Sequence, residues 1–321
     1  MQAQDFEPTL WSIGRRTGES RTEVLAQFDA GAFVRVHALR QTWHVVHRDD
    51  LVRVQAATAP RVHRANAAMY RQEGLDQHTL SRAAAVISGV VEEGPATRAV
   101  IRDRLSAAGF ELTGFRLGIL MMWAELECLV ASGPRVGGRH TYVGVPQIPA
   151  PDRASSIVAL AERYFFSHGP ATIADFTAWS SLTVAEARTA LEGLPIERAT
   201  VAGAECLWLG DSGAHRWDTP QVELLNGYDE YVSGLSAAGK RWLDGAGLVQ
   251  GRPGTPIGLL VVDGQLAGHW RRTLGRAEVL LNVLLLRAFD DAEQAALQLS
   301  ADGYGAFLGV PARVRLRSVE P

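Results

Sequence analysis

Lysine is nearly absent: Lys240 is the single lysine among 32 basic residues in a chain of 321. The positive charge is therefore carried by arginine, whose planar fork makes bidentate contacts to phosphate and carboxylate. A GC-rich coding sequence produces the same bias. Cysteine is scarce too. Cys128 and Cys206 stand far apart, which excludes a disulfide framework and offers no zinc-ligand spacing. No apolar run reaches roughly 18 residues and no signal peptide opens the chain, so a soluble, cytoplasmic protein without membrane contact is expected. The net charge of −3 gives no global basic field. A Gly-rich phosphate loop, a metal cluster and a Ser–His–Asp set are all missing, so neither metal nor cofactor is expected.

What is present is enough apolar residue, 47%, for real cores in two or three domains. Residues 1–70 read as helices at 4–16 and 20–28, strands at 33–36 and 42–46, and a further helix from Asp49 to about Ala57. Ser20 with Glu23 three residues on is a capping box. A helix pair followed by a two-stranded hairpin is the pattern of a winged helix. Residues 71–150 repeat it, with helices at 78–93, 97–107 and 113–132 and a wing at 135–145 whose tip is Gly137-Gly138. Residues 151–220 repeat it again, with helices at 152–167, 172–179 and 183–191, then strands at 196–201 and 205–209. From 221 to 321 strands dominate, at 257–262, 265–271, 278–286 and 312–316, with one helix at 292–308. The expected fold class is α+β: three tandem winged-helix units followed by a β-barrel-like domain.

The opening stretch, Met1-Gln2-Ala3-Gln4-Asp5, carries two amide side chains one residue apart. On a helix they would point about 200° apart; in extended chain both point the same way. Such a pair can hold a water molecule without a charge. Two nearby glutamines are more commonly solvated surface.

Several stretches taken in order resemble one family. They are Gln2-Ala3-Gln4-Asp5, Arg40-Gln41-Thr42-Trp43-His44-Val45-Val46, Ile173-Ala174-Asp175-Phe176-Thr177-Ala178-Trp179-Ser180, Tyr228-Asp229-Glu230-Tyr231, and Val261-Val262-Asp263-Gly264 with Trp270-Arg271-Arg272-Thr273. Together they resemble the AlkZ-like winged-helix DNA glycosylases over nearly the whole chain. The resemblance implies three winged helices and a C-terminal β-barrel clamped around duplex DNA. It implies excision of N-alkylated bases, mainly N7-alkylguanine, and in some members unhooking of interstrand crosslinks. The family's catalytic Gln-x-Gln matches Gln2 and Gln4. Family members carry a helix and a further stretch ahead of that motif, whereas here it follows Met1 directly. A first winged helix lacking its leading helix, or a start upstream of Met1, is therefore expected, with Gln2 on a loose chain end.

Other residues hold two readings each. His44, with Arg40 and Thr42, lies near DNA or is a strand histidine on a partly wet surface. Asp229, Glu230 and Tyr231, with Tyr228, serve acid–base work or, as adjacent carboxylates pointing different ways, brace the junction between winged helices and barrel. Arg271 and Arg272 contact phosphate or end a solvated strand, and Trp11 covers the site or fills the core. Gly137, Gly138 and Arg139 suit backbone contacts to DNA from a wing tip. A glycosylase acting as a monomer on duplex DNA leads. A winged-helix transcription regulator or a protein–protein scaffold is the alternative.

Overall fold

The computed structural model describes residues 1–211, 217–243 and 258–318. The first part of the chain holds α1 (Phe6–Thr17), α2 (Arg21–Asp29), the hairpin β1 (Phe33–Ala38) and β2 (Thr42–His47), and α3 (Leu51–Gln72). The capping box at Ser20 and Glu23 is formed, and Gly18 at φ +78° closes α1. α3 does not stop near Ala57. It runs 22 residues through Pro60, because Leu51, Ala59, Val62 and Tyr70 bury along one side. That burial outweighs the lost hydrogen bond of an interior proline.

Next come α4 (Gln77–Glu92), β3 (Ala96–Thr97), α5 (Arg98–Ala107), α6 (Gly114–Leu126), β4 (Val130–Val136) and β5 (Arg139–Gly144). α6 ends at Leu126, short of the expected 132. Cys128 turns the chain at φ +54°, and the residues from Val130 pair with β5 instead of continuing the helix. Then follow α7 (Arg153–His168), α8 (Ile173–Ser180), α9 (Val184–Leu191), β6 (Glu197–Val201) and β7 (Ala204–Trp208). Thr172 and Thr183 form capping boxes with Asp175 and Glu186.

The last part holds β8 (Val222–Leu225), the short α10 (Glu230–Ser233), β9 (Gly258–Val262), β10 (Gln265–Leu274), β11 (Val279–Leu285), α11 (Asp291–Leu308) and β12 (Ala312–Ser318). The expected strand start at Ile257 lies outside the described residues. The fold class is mixed α+β, but the expected barrel is not formed. The five strands lie in the open order β12-β11-β10-β9-β8. β12 pairs parallel to β11 after the α11 crossover, and every other pairing in this sheet is antiparallel. One face is already covered by helices, so closure is not needed to bury it.

That covered face decides how the N-terminus is placed. Leu10, Trp11 and Ile13 of α1 and Val24, Leu25 and Phe28 of α2 share a core with Leu260, Trp270, Leu281, Val283, Tyr304 and Phe307. α1 is also sewn to the segment leading into α10. The fully buried Asp229 accepts from Ser12 Oγ and from Arg16 at 2.6 and 3.0 Å, and caps α10 through the Tyr231 N–H. Removing one partner from a buried charged network costs several kcal/mol. Asp229→Ala should therefore lower unfolding stability by about 3 kcal/mol. Urea denaturation would show it as a drop in midpoint with the slope unchanged.

Candidate active site

The chain end is not loose. The Met1 nitrogen donates to Val45 O at 3.1 Å, Val45 N to Met1 O at 2.8 Å, and Ala3 N to Trp43 O at 2.7 Å. Met1–Ala3 thus lies antiparallel on β2, with Gln2 opposite His44. Met1 and Val45 exchange both hydrogen bonds, so Gln2 and His44 form the intervening pair whose side chains share a face. In that register the Gln2 N–H points away from β2, and it donates to Glu230 Oε2 at 3.1 Å. Gln2 Oε1 accepts from Arg40 Nη2 at 3.0 Å, while Arg40 Nη1 reaches Ser233 O at 3.3 Å. The β1–β2 turn and α10 therefore grip Gln2 from two sides.

Glu230 is the hub. Its Oε2 also lies 3.7 Å from the Met1 nitrogen, and its Oε1 accepts the Trp179 indole N–H and lies 3.4 Å from His168 Nε2. Burial works against ionisation here. The Met1 amino group and the nearby His168 imidazole outweigh it and hold the carboxyl well below the usual carboxylate range. His168 is fixed by its neighbour one turn back: the Tyr164 and His168 rings stack 4.5 Å apart, and Tyr164 Oη donates to Gly234 O at 2.8 Å.

His44 is completely buried, so the expected partly wet or DNA-facing position is corrected. Pairing on both edges of β2, with β1 and with Met1–Ala3, closes it off. Its Nδ1 lies 2.9 Å from Thr42 O; a carbonyl only accepts, which assigns the proton to Nδ1 and leaves Nε2 as an acceptor. Burial, then the Met1 amino group and Arg40, push the imidazole down to about 3 against the opposing pull of Glu230. Arg40 turns inward to Gln2, and Thr42 is half-buried, so neither is an open DNA contact in this arrangement. Among the described residues, Arg40 Nε, Thr42 Oγ1 and His44 Nε2 are buried without hydrogen-bond partners.

Gln4 is exposed at a bend before α1, and its carbonyl accepts from Arg35 Nη2 at 3.1 Å. The Arg35 guanidinium also takes Ala3 O at 2.9 Å and lies 4.0 Å over the Trp43 ring, which fixes this bend. Beside it, Asp5, Pro8, Trp11, Asn226, Arg271 and Arg272 help line a cavity of about 230 Å³. Trp11 is also a core residue: its Nε1 donates to Leu224 O at 2.6 Å and its ring packs edge-on against Tyr304 and Phe307. Arg272 donates to Tyr304 Oη at 2.5 Å, and Tyr231 Oη to Gly264 O at 3.0 Å. Gly138 and Arg139 lie on the separate β4–β5 hairpin, with Gly137 and Gly138 at φ +57° and +75°. Among the described residues no group of three potential ligands could hold a metal.

Sequence reasoning named Gln2, Arg40, His44 and Glu230 without bringing them together. It missed Tyr164, His168 and Ser233 altogether, because each completes the site only through contacts across the fold. Trp179 appeared in the sequence only as part of a family-like helix.

A family model described as DNA glycosylase AlkZ-like matches residues 1–307. Among solved structures the chain is similar to the Streptomyces sahachiroi DNA glycosylase AlkZ, with a TM-score of 0.78 at 19% identity, covering 99% of this chain and 91% of that one. No curated protein sequence matches.

The depressed His44 value fixes the sign of a pH effect. Between pH about 6.5 and about 3 the unfolded chain binds a proton that the folded chain refuses. Stability should fall on acidification through that window by up to about 1.4 kcal/mol per pH unit from this group alone. Urea midpoints at several pH values for the parent and His44→Gln test this. The variant should show the shallower dependence, and equal slopes would refute it.

Proposed function

The chain belongs to the AlkZ-like DNA glycosylase family, and from that premise we propose that it hydrolyses the N-glycosidic bond of N-alkylated bases of the N7-alkylguanine type. The enzyme is a DNA glycosylase. Unhooking of alkyl interstrand crosslinks belongs to the same proposal. The substrate is duplex DNA bound by a monomer, with the units at 1–70, 71–150 and 151–220 acting as winged helices and β1–β2, β4–β5 and β6–β7 as their wings. No helix among the described residues is long and apolar enough to cross a membrane; we place the enzyme in the cytoplasm, at the nucleoid.

An N7-alkylated purine is already cationic and leaves as a neutral base, so no general acid is required. The reaction instead needs a placed water and electronegative groups around the developing oxocarbenium sugar. Gln2 and Gln4 supply amide oxygens for this, and a weak site of this kind spares unalkylated bases. The observation that carries the reading is the grip on Gln2: its main chain is held by β2 and Glu230 and its side chain by Arg40. The buried Glu230 carboxylate adds fixed negative charge where positive charge develops. Arg40 Nε, Thr42 Oγ1 and His44 Nε2, buried without partners among the described residues, offer further polar capacity for an ordered water. Bulky lesions that resist flipping into a tight pocket suit a shallow site on a winged-helix clamp. Gly138, Arg139 and Arg271 would contact the DNA backbone.

Single-turnover excision on duplex DNA carrying N7-methylguanine tests the reaction. The parent should generate abasic sites, and Gln2→Ala/Gln4→Ala should lower the rate by roughly 100-fold or more. An undiminished rate in the double variant would remove the site from the N-terminus. Glu230→Gln places an amide N–H toward the donors of Gln2, Trp179 and His168. It should slow excision by roughly 10- to 100-fold while leaving the DNA Kd within about threefold.

A further inference from the structure

The sheet face turned away from α1 and α11 is strongly basic. Register places Arg313, Leu280 and Thr273 in one cross-strand row, Arg315, Asn282 and Arg271 in the next, and Arg317, Leu284 and His269 in a third. Partners in register share a face, so these nine side chains form one three-by-three lattice. The alternate residues Trp270, Val279, Leu281 and Val283 lie in the core on the other side. Arg271, Arg313, Arg315 and Arg317 are all exposed, and no acidic residue stands in the lattice.

Elsewhere some surface arginines are paired, as Arg15 is with Glu223, Arg104 with Glu93, Arg163 with Asp50 and Arg287 with Glu293, and what sets the lattice apart is that four arginines share one face. Among the described residues, none of the four lattice arginines forms an ion pair. In a chain of net charge −3, this is a local concentration of unpaired positive charge. It is also connected to the site. Arg271 lines the cavity that holds Asp5, the residue after Gln4, and the row from Arg271 through Asn282 runs to Arg315 at the sheet edge. Arg272 does not share this role, since it points to the core side and is held by Tyr304.

We propose that the outer face of β10, β11 and β12 is a phosphate track that carries the DNA backbone flanking the lesion, with Arg313, Arg315 and Arg317 as its contacts and Arg271 joining it to the site. Three arginines spaced every second residue along an edge strand recur at roughly 6.6 Å, and they reach phosphates without reading bases. This rests on the glycosylase reading only in taking DNA as the partner. A different account of arginines on an edge strand is that they block pairing with another chain, and the test must separate the two.

The experiment compares the parent, Arg313→Gln/Arg315→Gln/Arg317→Gln and the matching triple lysine variant. It measures duplex affinity by fluorescence anisotropy from 50 to 200 mM salt (roughly the range over which phosphate contacts register). Each lost phosphate contact reduces the slope of log K against log salt by about 0.9. The glutamine variant should therefore lose about 2 to 3 from the slope and bind at least roughly tenfold more weakly at low salt. The lysine variant should keep most of the slope. A glutamine variant with parental slope overturns the proposal, and self-association of that variant in light scattering would then assign the arginines to edge protection. A parent that binds no duplex at all fails the DNA reading itself, and the track with it.

Discussion

The site depends on one contact, between the Gln2 main chain and the Glu230 carboxylate. A residue next to a chain end is ordinarily fixed by little. Here strand pairing with β2 uses one edge of Met1–Ala3, and the outward N–H of Gln2 meets an acceptor that is itself bound by Trp179 and Ser233 and lies beside His168. A buried carboxylate in this setting is stable only because donors surround it. Gln2 cannot shift without leaving that carboxylate short of a partner, so a side chain with no charge of its own is held to a defined place.

The elements behind that contact come from distant parts of the chain. α10 is only four residues long and would not persist alone. It is positioned by Asp229, which ties it to Ser12 and Arg16 of α1. α1 is in turn fixed by burial against the sheet and α11. α7 and α8 bring His168 and Trp179 from the other side, packed with Tyr164 and Phe176. The candidate active site is therefore a junction between helices of two different cores.

The open sheet has two unlike faces for a related reason. The crossover through α11 covers one side and returns the chain as a parallel edge strand. The other side is left to charge in the region of β10 to β12, where alternation along β12 sets Arg313, Arg315 and Arg317 outward against the inward Val314. A closed barrel would have removed the edge. The open order leaves β12 at the edge of the sheet.

The sequence by itself determined what is local. Capping boxes at Ser20, Thr172 and Thr183, the turns at Gly137-Gly138 and Asp263-Gly264, and the alternation of β1, β2 and β10 depend on neighbours within a few residues, and they formed where those residues stand. Tertiary structure decided the rest. It carried α3 through Pro60, ended α6 at Leu126 in favour of a strand, and left the last sheet open. It also took His44 from an apparent surface strand to complete burial, and it made Glu230, read in the sequence as one of two adjacent carboxylates, the anchor of Gln2. The reason is physical: burial and hydrogen-bond partners more than 200 residues apart in sequence leave no periodicity or spacing for a local pattern to record, because they exist only once separate cores have packed together.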